Sequence, residues 1–248
     1  MKTAGHLIKQ LQQALDQVAS QKTKQWWQKY LREVIPFRGV AIPEIRNQLA
    51  QWREASGLST WEKHDQLLIA LQLFESSVAE DKLAGILYLQ DYLFDRFEWK
   101  DLVEKYRYLY LNDLIFDWNT CDWFCVRVLG PTIANNGLPC AEAIAGWART
   151  ENLWQARSSV VAFVPVSADS RYYPLIYRSC HFLIRREERF AKTGVGWILR
   201  ELSKHDQNGV QEFVQSHLES FSRESIKNAL KYFNDSDQKS YLKWFKTR

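Results

Sequence analysis

Glycine and proline are both sparse in this sequence, 10 and 6 among 248 residues. A sandwich or barrel needs a turn every few residues, so the scarcity excludes those folds and favours long helices joined by short loops. Cysteine is scarce as well. Cys121, Cys125, Cys140 and Cys180 form no even, closely spaced framework and read as reduced intracellular thiols. Nor is there a long apolar run: the longest, about Val160 to Val166, is far short of the roughly 20 residues a membrane span needs. The start, Met1-Lys2-Thr3-Ala4-Gly5-His6-Leu7-Ile8, lacks the apolar region of a secretory signal. A soluble cytoplasmic protein is expected, with no membrane contact. Five scattered histidines include no His-x-x-x-His pair, and Cys121 and Cys125 have no second pair at finger-like spacing. There is no Gly-rich phosphate loop and no nucleophile elbow.

What is present is a large apolar fraction, 46%, enough for a sizeable core. Apolar residues recur at helical spacing almost throughout. Leu7, Leu11, Ala14, Leu15 and Val18 mark a first helix from about Ala4 to Ser20. A second starts near Lys24 and stops before Pro36. Pro43 opens a third, which runs to about Ala55. Ser59 or Thr60 is the expected cap of the next, which carries Leu67, Leu68 and Leu71. Further helices are predicted over residues 83–94, 102–110, 116–129, 140–147, 153–164, 173–184, 189–205, 210–217, 223–233 and 238–245. No segment alternates as a strand. Helix pairs recurring every 35–45 residues or so predict an all-α, HEAT-like solenoid, a single domain over residues 1–248. The net charge of +4 is unevenly spread, +6 over residues 149–248 and −2 over residues 1–148. A basic C-terminal part suits a phosphate-bearing partner, although surface lysines also serve solubility.

Three stretches combine chemistry with helical spacing. In Phe116–Leu129, Trp118 and Asp122 stand at i and i+4 on one face, while Cys121, Cys125, Val128 and Leu129 point to the core. In Asn152–Ser159, Trp154 and Arg157 lie three apart near a helix start, where an arginine suits a phosphate or a surface ion pair. In Arg185–Glu201, Gly194 and Gly196 precede Trp197 inside a helical pattern, each costing roughly 1 kcal/mol against alanine. Such glycines make room either for a close-approaching ligand or for tight helix–helix packing.

Trp118-x-x-x-Asp122, Asn152-Leu153-Trp154-x-x-Arg157 and Gly196-Trp197-Ile198-Leu199-Arg200-Glu201, in this order and spacing, resemble the AlkD-type DNA alkylation repair glycosylases. Tyr30, Phe37-x-Gly39-Val40-x-x-Pro43-x-x-Arg46 and Ser222-Arg223-Glu224-x-Ile226-Lys227 are similar to the same family, and the likeness spans roughly residues 24–231. The resemblance implies a HEAT-like superhelix whose concave face grips duplex DNA. It implies excision of cationic alkylated purines, such as N3-methyladenine and N7-methylguanine, without flipping the base into a pocket. By position it assigns Trp118, Asp122 and Trp197 to catalysis and Arg157 to the DNA backbone beside the lesion. Tyr30, Arg200, Arg223 and Lys227 are the further DNA-binding candidates. Ala41 departs from the pattern, since relatives can carry a polar DNA-contacting residue there. No metal and no organic cofactor is implied, and a monomer acting on double-stranded DNA with alkylated bases is expected.

The chemistry of these residue types agrees. A purine alkylated at N3 or N7 is already cationic and leaves readily, so the developing oxocarbenium-like sugar is what needs stabilising. A carboxylate near C1′ supplies the opposite charge and can position the attacking water. Indole faces attract a developing cation by ~0.5–2 kcal/mol each. One carboxylate suffices, in contrast to the two of sugar hydrolases. The competing expectation is a HEAT-like scaffold that binds DNA or a partner protein without chemistry.

Overall fold

The structure is a computed structural model that describes residues 3–245, and every regular element among them is a helix. The all-α class expected from apolar spacing is the class observed. Contacts group the chain into two compact units, Met1–Val128 and Leu129–Arg248. No low-complexity linker marks that junction in the sequence.

The first unit holds α1 (Ala4–Gln17), α2 (Gln21–Leu31), α3 (Ile42–Ser56), α4 (Lys63–Gln72), α5 (Ala79–Tyr92), α6 (Trp99–Leu111) and α7 (Trp118–Phe124). Leu7, Leu11 and Leu15 form the buried stripe of α1, and the Trp52 indole N–H of α3 donates to the Leu7 carbonyl at 2.8 Å. Helix α1 packs on α3, α3 on α5 and α5 on α7. Alternate helices thus stack in a row, the contact pattern of repeated helix pairs. Helix α5 is the centre of this unit, buried on all sides from Ala79 to Leu89.

The second unit holds α8 (Gly130–Ala145), α9 (Leu153–Val161), α10 (Tyr173–Leu183), α11 (Arg189–Leu202), α12 (Gln207–His217), α13 (Arg223–Ala229) and α14 (Asp235–Trp244). The alternation recurs, with α9 on α11 and α11 on α13. Side-chain caps start four of these helices. Asn152, Asp206, Ser222 and Asn234 each accept from an amide of the first turn, satisfying donors a helix start leaves open.

Three local expectations are corrected. Thr60 does not cap α4: Leu58–Thr60 forms a 3-10 turn, the Thr60 hydroxyl donates back to the Gly57 carbonyl at 2.8 Å, and Glu62 precedes the helix. The helix expected over 116–129 is α7 followed by a π turn at Cys125–Leu129. Pro131 stands just beyond, and with no N–H to offer it cannot continue a regular ladder back to residue 127. Helix α8 begins ten residues ahead of the predicted Cys140 and runs through Pro131, Gly137 and Pro139, residue types that ordinarily interrupt helices. The chain follows them in part, leaving helical geometry at Gly137 (φ +68°) before resuming.

Candidate functional site

Helix α7 starts where it does because Asp117 caps it, one carboxylate oxygen accepting from the Thr120 amide at 2.9 Å. Its inner face is anchored by Phe124, which meets Phe74, Tyr106 and Tyr110 edge-on at 5.8, 5.0 and 6.3 Å. Cys121 and Cys125 are fully buried on the same side. Trp118 and Asp122 remain one turn apart and half-buried, as the spacing predicts.

Trp118 is seated in an aromatic cluster. It packs, with Trp27 and Phe116, against the buried group Leu31, Ile35, Phe37 and Ala79. Tyr30 approaches it edge-on, ring centroids 5.3 Å apart, and is itself 53% exposed. Trp27 stacks flat on Phe37 at 5.4 Å. Phe37 opens the segment that resembles the family's Phe-x-Gly-Val pattern, and here those residues have structural work. Gly39 takes a left-handed φ of +103°, and its carbonyl accepts from the Ser20 amide at 2.9 Å. Ala41 is exposed at the start of α3, and Arg46 is paired with Asp91 and Gln90.

Glu80, Asp81 and Lys82, invisible to sequence reasoning, hold this region in place. All three are buried at the start of α5. Glu80 accepts from the amides of Arg38, Gly39 and Val40 at 3.0, 2.8 and 3.0 Å. Asp81 takes both Arg38 guanidinium nitrogens, at 2.6 and 3.1 Å, and the Gln12 amide at 2.9 Å. Desolvating such charges costs several kcal/mol each unless they are paired this fully. Lys82 donates to the carbonyls of Phe74 and Leu114 and lies over the Phe116 ring at 5.2 Å. Burial pushes its ammonium down to about 8, against the opposing pull of Asp117 and Asp81. Lys82 therefore ties α5 to the segment leading into α7.

In the second unit, Asn152 starts α9 by accepting from the amides of Trp154 and Gln155 at 3.0 and 2.9 Å. Arg157 is buried, 4% exposed, and donates to the Phe190 carbonyl at 2.6 Å and the Thr193 hydroxyl at 3.2 Å. Trp197 is half-buried on α11. Arg200, one turn on, is held by Glu201 at 2.6 Å and by Asn228 at 3.2 Å. Burial works to raise the Glu201 carboxyl, but hydrogen bonds from Lys204 and Arg200 outweigh it and hold it below its ordinary value. Arg223 and Lys227 are exposed on α13, whose Glu224 pairs with Arg189 through two hydrogen bonds of 2.7 and 2.6 Å.

The two glycines of α11 have separate neighbours. A Cβ on Gly196 would lie 2.5 Å from the Ser225 carbonyl oxygen and 3.0 Å from its Cα, so glycine lets α11 and α13 touch backbone to backbone. A Cβ on Gly194 would meet only the Arg157 side chain, at 3.2 Å, and Val160 at 3.4 Å. Helix packing accounts for the first, and space for the Arg157 side chain for the second.

Other groups stay outside these stretches. His181 shares a 3.0 Å contact with His217 and one of 2.7 Å with Arg185, a satisfied surface cluster. All four cysteines are free thiols, and burial pushes Cys140 up to about 12. Among the described residues no three His, Cys, Asp or Glu side chains group to hold a metal ion. No helix among them is long and apolar enough to cross a membrane. A groove of about 810 Å³ between α4 and α6, lined by Leu68, Leu71 and Tyr108 among others, contains none of the predicted site residues.

Alternately stacked helices throughout define a helical-repeat protein, with a tryptophan and a carboxylate one turn apart on α7. The sequence matches the family described as DNA alkylation repair enzyme over residues 11–233, and the chain belongs to that family. Its role is thus in the repair of alkylated DNA. A solved structure described as a predicted DNA alkylation repair enzyme from Enterococcus faecalis is similar in fold. The TM-score is 0.75 at 19% sequence identity, over 88% of this chain and 97% of the other. No curated protein sequence matches the chain.

Proposed function

We propose that this protein is a DNA glycosylase that hydrolyses the N-glycosidic bond of positively charged alkylated purines, N3-methyladenine and N7-methylguanine, in duplex DNA. The observation that carries the reading is the Trp118–Asp122 pair, held one turn apart on a helix capped by Asp117 and anchored by Phe124. Asp122 places negative charge where the deoxyribose becomes cationic and orients the incoming water. Trp118 offers an indole face to the same cation. Trp197 takes a like part on the strength of its motif. The leaving base carries its own positive charge, so no general acid, metal or organic cofactor enters the chemistry. The lesion stays in the duplex and needs no closed pocket.

Arg223 and Lys227, exposed on α13, suit phosphate contacts, and Tyr30 suits the sugar–base surface beside Trp118. Arg157 and Arg200 are assigned to DNA by their motifs. Arg157 does so from a buried position and Arg200 from a half-buried one. The enzyme acts as a monomer in the cytoplasm. The test is incubation of the purified protein with methylated duplex DNA and chromatography of the released bases. Free N7-methylguanine and N3-methyladenine are expected. DNA binding without release of either base would favour a non-catalytic scaffold.

A further inference from the structure

Trp26 takes no part in the reading above, yet it leaves 58% of its surface in water, an unfavourable placement for an indole. One face rests on Tyr30, with centroids 5.2 Å apart and planes only 13° from parallel. Its edge is braced by Trp27 at 4.8 Å, and Trp27 is stacked in turn on buried Phe37. Tyr30 continues the contact to Trp118. The rings therefore form a ladder rooted in the core of the first unit and open at its Trp26 end. Helix α2 carries Lys22, Lys24 and Lys29 and no acidic residue. An open aromatic face among cations is the composition that holds unstacked bases, because every base has a π-face to stack and a phosphate beside it.

We propose that Trp26 and Tyr30 form a stacking site for an unpaired nucleobase of DNA, so that the protein holds a duplex with one base out of the stack more tightly than an intact duplex. The inference rests on the reading of the chain as an enzyme that acts on DNA. It adds a residue the motifs do not contain and a preference that the Trp118–Asp122 pair does not supply. Trp26 is exposed, and replacing it removes stacking surface without opening the core.

The test compares the full chain on two 2-aminopurine duplexes, one with the fluorescent base paired to thymine and one with it as a single-nucleotide bulge. Tighter binding of the bulged duplex is expected, by roughly 5- to 150-fold, the range spanned by one base–aromatic stack. Its fluorescence should be quenched on binding. Trp26→Leu, with an unchanged circular dichroism spectrum, should bind both duplexes alike, at the wild-type affinity for the paired one. Equal wild-type binding of both duplexes, or a preference that survives Trp26→Leu, overturns the stacking site and leaves the glycosylase reading standing. Failure to bind either duplex at low salt overturns both.

Discussion

Replacing Gly196 by alanine places a methyl group 2.5 Å from the Ser225 carbonyl oxygen and about 3.0 Å from its Cα. Ordinary contact begins near 3.4 Å, so the α13 backbone has to retreat by roughly 0.9 Å. That backbone has little freedom, since Ser225 closes the capping box with Ser222 and is itself fully buried. Overpacking of this kind costs ~1–3 kcal/mol or more, against a helix-propensity gain of about 1 kcal/mol for glycine to alanine. The clash is entirely with the Ser225 backbone, which puts the cost at the upper end and the net destabilisation at about 1–2 kcal/mol. Gly194→Ala supplies the control two residues away. Its methyl meets side chains at 3.2–3.4 Å that can shift by a few tenths of an ångström, so propensity wins and stability holds or rises by up to about 1 kcal/mol. Chemical denaturation of the two variants beside wild type is the assay. Equal destabilisation by both, or a stabilised Gly196→Ala, would refute the assignment of these glycines to separate neighbours.

Lys82 titrates near 8 in the fold but at about 10.5 when unfolded, so between those values the unfolded chain binds more protons and stability rises with pH. The slope from this group is at most about 1.4 kcal/mol per pH unit, is best read between pH 8 and 9, and should vanish in Lys82→Met. Above pH 9 the buried thiol of Cys140 and the Tyr177 hydroxyl, both raised by burial, reverse the trend, because they ionise sooner in the unfolded chain. In DNA binding, affinity should fall steeply with salt, and Arg223→Gln or Lys227→Gln should each reduce the slope of log K against log salt by about 1, measured by fluorescence anisotropy. Arg157→Ala is a poorer probe, because its guanidinium is also hydrogen-bonded to Phe190 and Thr193.

Most helices were legible because their buried stripes recur at the helical period, as in Leu7, Leu11 and Leu15, or in Ile198, Leu199 and Leu202. Reading failed where local chemistry competed. Pro131, Gly137 and Pro139 hid the first half of α8, and Thr60 bonded backwards to Gly57 when a cap was expected. Trp118 and Asp122 were visible as a pair because their spacing is one helical turn. Their support was not. Glu80, Asp81 and Lys82 look like the charged, solvated first turn of any helix, and their partners at residues 12, 38–40 and 114 lie far away in sequence. Trp26 was passed over for a related reason: an aromatic at helical spacing reads as core, and only its exposure marks it out.

The central claim is that Asp122 stabilises a cationic sugar, and Asp122→Asn tests it most directly by removing charge while keeping size and hydrogen-bonding capacity. Loss of one preorganised electrostatic contact typically costs ~10²–10³ in rate, or roughly 2.7–4 kcal/mol. The measurement is single-turnover release of N7-methylguanine from methylated duplex DNA at saturating enzyme, with circular dichroism to verify the fold. A folded variant slowed by about that factor, with binding to undamaged DNA retained, is the predicted result. A folded Asp122→Asn that releases the base at the wild-type rate would remove Asp122 from the mechanism and contradict the account.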